Sequence, residues 1–177
     1  FDTSVKQVFQ LLQGRTLVLV PEHVRLDGEA LLEYAVEMGV QVLDATPSQL
    51  AWLVEAGLTE APGSLRAVLA GGEALPLSMW RRFRTPGAPI LVNLYGPTEC
   101  TVDATVHVLG RDDERPLLGH PLPNVQVMVL DEQLRPTPVG VPGELFIGGP
   151  GGARGYLGNS EATALAFIDS PYSTVVP

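Results

Sequence analysis

The chain has 177 residues, a formal net charge of -9 and a pI near 4.7. Its hydrophobic content of 45% is typical of a globular protein rather than a disordered one, and its acidic balance disfavours nucleic-acid binding because phosphates repel it. No apolar run reaches the ~20 residues of a membrane span, no signal peptide is visible, and the one cysteine, Cys100, cannot form an internal disulfide. We therefore expect a cytoplasmic protein without a membrane or nucleic-acid partner.

The first half of the chain alternates between helical and strand patterns. Apolar residues at helical spacing predict helices in "SVKQVFQLLQG", "DGEALLEYAVEMG", "TPSQLAWLVEAG" and "LPLSMWRRF". Short apolar runs predict strands in "TLVLV", "VQVL", "LRAVL" and "PILVNL". Thr46 followed by Pro47 is typical of a helix start. Fully apolar strands between helices predict an α/β fold with a doubly wound parallel sheet, whose strand carboxyl ends share one ligand-binding edge.

The second half, from about Arg111, is rich in proline and glycine. Its runs "VQVMVLD" and "ELFIGG" predict antiparallel, barrel-like strands, and "NSEATALAF" predicts a short terminal helix. We place a boundary near residues 108–116, with an α/β subdomain over residues 1–110 and part of a β-barrel over residues 111–177. At ~65 residues the second part is marginal for independent stability. The chain opens on "FDTSV" without an initiator methionine, so we expect a piece of a longer protein.

Polar residues follow three of the predicted strands. Asp44 ends one strand, Gly71-Gly72-Glu73 follows the next, and "NLYGPTE" over Asn93 to Glu99 ends the third. Two adjacent glycines let the backbone approach a flat ligand, although alone they are equally typical of a strand-to-helix turn. If the fold is right, these groups meet at one edge of the sheet.

The stretch "NLYGPTE" combines three kinds of chemistry. Tyr95 can stack on a base, Thr98 can donate to a phosphate oxygen, and Glu99 can hold Mg²⁺, which prefers one or two carboxylates together with phosphate oxygens. A capping pair at a surface turn would explain Thr98 and Glu99 by themselves. Their combination with the aromatic ring favours a nucleotide site.

Four stretches in this order, "FDTSV", "AGGEAL", "NLYGPTE" and "GELFIGGPGGARGYL", resemble core motifs of adenylate-forming enzymes. The resemblance is closest to the adenylation domains of nonribosomal peptide synthetases and covers essentially the whole chain. It implies a flavodoxin-like subdomain running into a distorted antiparallel β-barrel. Gly152 and Asn159-Ser160 depart from the usual pattern. The family's phosphate loop, its ribose-binding aspartate and its mobile subdomain with the catalytic lysine are expected outside this chain, which we therefore expect to be inactive alone.

The resemblance implies activation of an amino acid with ATP and Mg²⁺, giving aminoacyl-AMP, and transfer to a phosphopantetheine thiol. The implied partners are the peptidyl carrier and condensation domains of an antibiotic-producing synthetase. By position, Asn93 would bind the adenine amino group, Tyr95 would stack on the ring, Thr98 would contact the α-phosphate, and Glu99 would ligate the metal. The implied ATP-binding residues are Gly71, Gly72, Glu73, Asn93, Tyr95, Gly96 and Thr98, with Thr98 and Glu99 as the catalytic pair.

The resemblance also implies an amino acid pocket that contains three charged side chains besides the acid for the substrate ammonium group, Asp2. Its residues would be Asp2, Thr3, Lys6, Asp44, Val68, Ala70, Leu94, Val102 and Asp103. Buried charges need partners, so Lys6 between two acids favours a carboxylate or amide side chain. The pattern resembles domains that activate glutamate or glutamine, with Thr3 and Ala70 as departures. A basic substrate is the competitor, and alternatively Lys6 points to solvent.

Two other functions remain open from the sequence. In the first, the chain by itself is only a substrate-recognition module that catalyses nothing. In the second, the intact domain is an adenylate-forming ligase for a fatty or aryl acid. Asp2 argues against such acids, because they carry no ammonium group. The three histidines have no ligand spacing, so no metal other than Mg²⁺ is implied. No histidine is placed by the sequence to activate Cys100 as a nucleophile.

Overall fold

The computed structural model describes residues 3–170 and residue 172, apart from the side chain of Thr3. The chain divides into two compact units. The first comprises residues 1–95 and 105–120, and the second comprises residues 96–104 and 121–177. The predicted division at residues 110 and 111 stays a prediction.

The larger sheet has five strands in the order β1-β2-β3-β4-β5. β1 to β3 pair in parallel, and β4 pairs with β3 in the antiparallel direction. The strands are β1 Val42–Ala45, β2 Ala67–Ala70, β3 Ile90–Tyr95, β4 Thr105–Val108 and β5 His120–Pro121. The helices of the first unit are α1 Thr3–Leu12, α2 Gly28–Glu37, α3 Pro47–Glu55 and α4 Leu77–Arg82. The predicted α/β class, with a mostly parallel sheet, is confirmed.

The helix start predicted at Thr46 is also confirmed. The Thr46 hydroxyl accepts a hydrogen bond from the Gln49 backbone N–H, and the Gln49 side chain accepts one from the Thr46 backbone N–H. Pro47 occupies the first turn, where its missing N–H costs no helical hydrogen bond. These two reciprocal hydrogen bonds determine that α3 begins directly after the end of β1.

The main core lies between α2, α3, α4 and one face of the sheet. Leu50, Leu53, Val68 and Trp80 are completely buried there, and Leu91 is almost so. On the opposite face Val42 and Ile90 are more than half exposed. α1 contacts the sheet through polar bonds from Lys6 and Gln7 to Asp44.

The strand predicted in "TLVLV" was wrong. Residues 15–20 adopt no regular secondary structure, and Leu19 is 76% exposed while its carbonyl accepts a bond from the Tyr34 hydroxyl. Within the described residues β1 pairs with β2 alone, so this apolar run has no ladder partner. An apolar run forms a strand only where a neighbouring strand supplies hydrogen-bond partners.

The second unit contains a one-turn 3₁₀ helix, Thr98–Cys100, and two antiparallel strands, β6 Gln126–Leu130 and β7 Glu144–Gly148. It ends with α5, Ser160–Ala166. Both predicted strands and the predicted terminal helix are present, and the described residues of this unit form no closed barrel. In the described part of the chain, no helix has the length and apolar character needed to cross a bilayer.

The loop after β4 is held by a cluster around His107. Its Nε2 lies 2.7 Å from Asp113 Oδ2, and its ring stacks on Trp80 with centroids 5.6 Å apart. Trp80 Nε1 donates to the Asp113 carbonyl at 3.3 Å, and the Gly110 N–H donates to Asp113 Oδ2 at 2.6 Å. The hydrogen bond with His107, and then that from Gly110, lowers the pKa of the Asp113 carboxyl. His107 is thus a structural residue.

We predict that Asp113→Asn lowers the free energy of unfolding at neutral pH. A carboxyl whose pKa is lower in the folded state stabilises the fold above its ordinary pKa, and that stabilisation is lost as pH falls through the folded value. The difference between the variant and the unaltered protein should therefore shrink below about pH 4. Denaturant unfolding at several pH values measures this, with Asp112→Asn as the exposed neighbouring control. A deficit of equal size at every pH would contradict the ionic role.

Candidate active site

The parallel register determines which side chains share a face at the carboxyl edge of the sheet. Asp44 pairs with Leu69, and Leu69 pairs with Val92. Partners in register project to the same side, and alternate residues of a strand project to opposite sides. The Asp44 face therefore carries Asp44, Leu69, Val92 and Leu94. The core face carries Ala45, Val68, Ala70, Leu91 and Asn93.

The charged part of the predicted amino acid pocket is assembled around Asp44. Lys6 Nζ lies 3.1 Å from Asp44 Oδ2, and Gln7 Nε2 donates to the same oxygen at 2.5 Å. The side chains of Lys6 and Asp44 are 20% and 16% exposed. The alternative that Lys6 points to solvent is therefore wrong. Gln7 was not among the residues predicted for the pocket, although its spacing of four from Thr3 places both on one helix face.

The structure does not bring Val68 and Ala70 to Asp44. Both are completely buried on the core face, where they pack with α2, α3 and α4. Leu69, which was not predicted as a pocket residue, lies between them in sequence, projects to the Asp44 face and is partly exposed. The period-two alternation of a strand counted from Asp44 would have selected it. Asp2 lies outside the described residues, and Thr3 begins α1.

Asn93 is oriented by a single strong contact. It is 5% exposed, and its Nδ2 donates to the Leu117 carbonyl at 2.8 Å. A carbonyl only accepts hydrogen bonds, so the amide nitrogen must face Leu117, and Oδ1 is left as the acceptor end. An acceptor has the right polarity for an amino group such as that of adenine. Tyr95 is two residues further on the same face and is half-buried.

The glycine pair follows β2 directly. A Cβ on Gly71 would lie 3.1 Å from the Leu94 carbonyl oxygen, and Gly72 has a φ of +82°. The Glu73 carboxylate accepts bonds from the Ser48 N–H at 3.0 Å and from its hydroxyl at 2.5 Å. A negative charge at the amino end of α3 stabilises the helix through its dipole. Glu73 thus has a structural partner beside its predicted place near adenine.

The remaining predicted residues, Gly96, Thr98, Glu99, Val102 and Asp103, belong to one loop of the second unit. A Cβ on Gly96 would lie 2.5 Å from the Val102 carbonyl oxygen, so only glycine fits. Thr98 is exposed at the start of the one-turn helix. Thr101 and Val102 both have left-handed backbone angles, φ 60° and 72°, which is costly for β-branched residues.

Glu99 is the residue of this loop that was predicted to ligate the metal. The Tyr156 hydroxyl donates to its Oε1, and this hydrogen bond is the main cause that lowers the pKa of the Glu99 carboxyl. The group is therefore charged at neutral pH. Among the described residues no three acids, histidines or cysteines cluster into a full metal cage. One charged carboxylate nevertheless fits Mg²⁺, which takes most of its other ligands from water and phosphate.

Cys100 is unsuited to nucleophilic chemistry. Burial raises the pKa of its thiol, and the neighbouring Glu99 carboxylate raises it further. The reactive species of a cysteine is the thiolate, so the environment of Cys100 suppresses reactivity, in agreement with the sequence analysis.

Residues 1–157 match the family model of the AMP-binding enzymes. The chain belongs to the AMP-binding enzyme family. It is 40% identical to bacitracin synthase 1 of Bacillus licheniformis over 97% of its length, and 42% identical to the dimodular nonribosomal peptide synthase of Bacillus subtilis, also over 97%. It spans only 3% and 8% of those synthetases. The expected family is thereby confirmed.

A solved structure agrees with this family in three dimensions. The crystal structure of a four-domain nonribosomal peptide synthetase bound to AMP and glycine matches with a TM-score of 0.78 and 37% identity. The match covers 88% of this chain and 12% of that one. The fold of the AMP-binding family thus extends over nearly all of the chain.

Proposed function

We propose that this chain forms the central part of an adenylation domain in a nonribosomal peptide synthetase. Such a domain activates an amino acid with ATP to aminoacyl-AMP and then loads it onto the phosphopantetheine thiol of a carrier domain. The observation that carries the proposal is the similarity to peptide synthetases over 97% of the chain. The peptidyl carrier and condensation domains are the proposed partners, and the cytoplasm is the proposed location.

The nucleotide part of the proposal assigns residues of the first unit to adenine and residues of the second unit to the phosphates, each from its position in the motifs. Asn93 Oδ1 accepts from the adenine amino group, because the Leu117 carbonyl fixes the amide orientation. Tyr95 stacks on the ring, with Gly71, Gly72 and Glu73 nearby in the same pocket. Thr98 donates to the α-phosphate, and Gly96 allows the tight approach of the loop backbone.

The metal part of the proposal rests on Glu99. Bound Mg²⁺ would neutralise phosphate charge, and Glu99 is the protein carboxylate that would hold it. Charge neutralisation and positioning are the main contributions a protein makes to transfer at a phosphate. Glu99 is an ionised carboxylate at neutral pH, and the hydrogen bond from Tyr156 lowers the pKa of that carboxyl further.

We predict that Glu99→Gln, made in an intact adenylation domain that contains this chain, strongly lowers the rate of ATP–pyrophosphate exchange. The amide keeps the shape of the side chain but removes the charge that the cation needs. Exchange measured at limiting Mg²⁺ should show the largest loss. Glu132→Gln, at an exposed glutamate of the same unit, is the matched control. Exchange rates unchanged at limiting Mg²⁺ would remove Glu99 from the metal role.

For the substrate we propose glutamate or glutamine. Lys6, Gln7 and Asp44 form a compact hydrogen-bonded group that is largely shielded from solvent. An aliphatic or aromatic side chain would remove water from these polar groups without offering them a further hydrogen bond in exchange. A carboxylate or amide accepts from the lysine ammonium or from the Gln7 amide, while Leu69 and Leu94 contact the methylene groups.

The other members of the proposed amino acid site lie elsewhere. Val102 and Asp103 lie in the second unit, and Asp2 is proposed for the substrate ammonium group from its position in the motif. Because Val68 and Ala70 face the core, we propose Leu69 in place of Val68, and we assign the two buried residues to support of the site. A basic side chain is the competing substrate, since Asp44 and Asp103 against Lys6 would leave the proposed pocket with a net negative charge.

We predict that Lys6→Met in the intact domain changes the order of substrate preference. A charged hydrogen bond in a shielded site contributes ~1.5–3 kcal/mol, which corresponds to a roughly ten- to hundredfold preference. Glutamate should suffer most, because loss of the lysine leaves Asp44 to repel it, and ornithine should become tolerated. Exchange assays with glutamate, glutamine, ornithine and leucine measure the ranking.

Arg15→Met is the control for this experiment, because it removes an exposed cation just beyond the end of α1. It should leave the ranking unchanged. If glutamate and glutamine are poor substrates of the unaltered domain, or if the ranking stays the same in Lys6→Met, the assignment of Lys6 to the substrate side chain is refuted.

Two assays test the alternative functions, a substrate-recognition module and a ligase for fatty or aryl acids. Single-turnover formation of aminoacyl-AMP distinguishes an enzyme from a recognition module, and the isolated chain is proposed to be inactive. An exchange panel that includes fatty and aryl acids tests the remaining class of ligase.

A further inference from the structure

Two stretches of the second unit are joined by a set of hydrogen bonds. One is the loop of residues 96–104, which carries Glu99, and the other is the segment of residues 149–156, "GPGGARGY". The Ala153 N–H donates to the Glu99 carbonyl at 2.7 Å, and the Thr101 hydroxyl donates to the Gly151 carbonyl at 2.6 Å. The Tyr156 hydroxyl donates to the Glu99 carboxylate. Backbone and side chain of Glu99 are therefore both held by the same short segment.

Tyr156 is itself fixed by α5. Its ring meets Phe167 edge to face, with centroids 5.5 Å apart. Its backbone N–H donates to the Thr163 hydroxyl at 2.9 Å, and that hydroxyl donates to the Asn159 carbonyl at 2.8 Å. Tyr156 is 39% exposed, so this ring contact and the backbone hydrogen bond, rather than burial, restrict its side chain. The support therefore runs from α5 through Tyr156 to Glu99.

Close packing gives the segment little freedom to shift. A Cβ on Gly155 would lie 2.5 Å from a Thr163 methyl group, and a Cβ on Gly151 would lie 3.2 Å from the Cys100 carbonyl oxygen. The left-handed backbone of Thr101 is kept in place by its side-chain bond to Gly151. Strained backbone persists only where its surroundings over-determine it, and here the surroundings are this segment.

We propose that Tyr156 is a positioning residue that presents the Glu99 carboxylate to the nucleotide-bound divalent cation. This inference rests on the metal role proposed for Glu99. The phenol binds Oε1 and restricts rotation of the carboxylate, so that Oε2 is offered in one direction. Mg²⁺ demands nearly ideal octahedral geometry, and a freely rotating carboxylate serves it poorly.

The test compares Tyr156→Phe with Tyr172→Phe in an intact adenylation domain that contains this chain. Each variant removes one hydroxyl from the same unit, and the Tyr172 hydroxyl donates to the Leu134 carbonyl, away from Glu99. Binding of Mn²⁺ in the presence of ATP is followed by the electron paramagnetic resonance of the free ion. Mg²⁺ dependence of pyrophosphate exchange is measured in parallel.

Tyr156→Phe should raise the dissociation constant for Mn²⁺ and the half-saturating Mg²⁺ concentration about three- to tenfold. This is less than the full value of a charged hydrogen bond, because Tyr156 is 39% exposed and orients the ligand without touching the cation. The KM for the amino acid should stay unchanged, and Tyr172→Phe should behave as the unaltered domain. Cation binding that is unchanged or tighter in Tyr156→Phe overturns the proposal. An equal effect of Tyr172→Phe overturns it too, because the hydroxyl would then act only through stability.

Phe167→Leu provides an independent variant that keeps the Tyr156 hydroxyl but loosens its ring. It should shift cation dependence in the same direction by a smaller factor, and no shift contradicts the supporting role of α5. Glu99→Gln distinguishes the metal role of Glu99 from the positioning role of Tyr156. If it leaves Mn²⁺ binding intact, the metal role of Glu99 fails. If it weakens binding while Tyr156→Phe does not, only the positioning role fails.

Discussion

A residue in a strand can face only one side of its sheet, and this constraint organises the first unit. The register of β1, β2 and β3 places Asp44, Leu69 and Val92 in one row. Leu94 continues that face, whereas Asn93 and Tyr95 project to the other. In the proposed function, these three consecutive residues divide two tasks: Asn93 and Tyr95 are proposed for the base, and Leu94 is proposed for the side chain of the amino acid. The division requires no special loop, because the pleat alone supplies it.

The polar side chains at the sheet edge have hydrogen-bond or ionic partners that determine their orientation. Leu117 orients the Asn93 amide, and Lys6 is held at Asp44 by opposite charge. Each of these bonds lies in a partly shielded environment, where electrostatic interactions are stronger than in water. In the second unit, Tyr156 plays the corresponding part for Glu99. A site of this kind is preorganised, which lowers the cost of ordering it when ligand binds.

Much of this fold follows from local sequence patterns. The cap at Thr46, α1 to α4, the parallel strands and the hairpin of β6 and β7 all follow from spacing and turn residues that act over a few positions. The strand predicted over residues 16–20 is absent, because an apolar run does not reveal whether a neighbouring strand is available to pair with it. Likewise, motif offsets placed Val68 and Ala70 in the pocket, whereas sheet register buries both in the core. The hydrogen bonds that join Glu99 and Thr101 to Gly151, Ala153 and Tyr156 link positions at least fifty residues apart, and no local pattern encodes them.

The division of labour along β3 is tested most directly by a crystal structure of an intact adenylation domain containing this chain with a non-hydrolysable glutamyl-adenylate analogue. The account predicts that the adenine amino group meets Asn93 Oδ1 and that the glutamyl methylene groups contact Leu69 and Leu94. Its carboxylate should lie within hydrogen-bond distance of Lys6 or Gln7. A glutamyl group that contacts Val68 or Ala70 instead, or an adenine ring on the Asp44 face, would contradict the account.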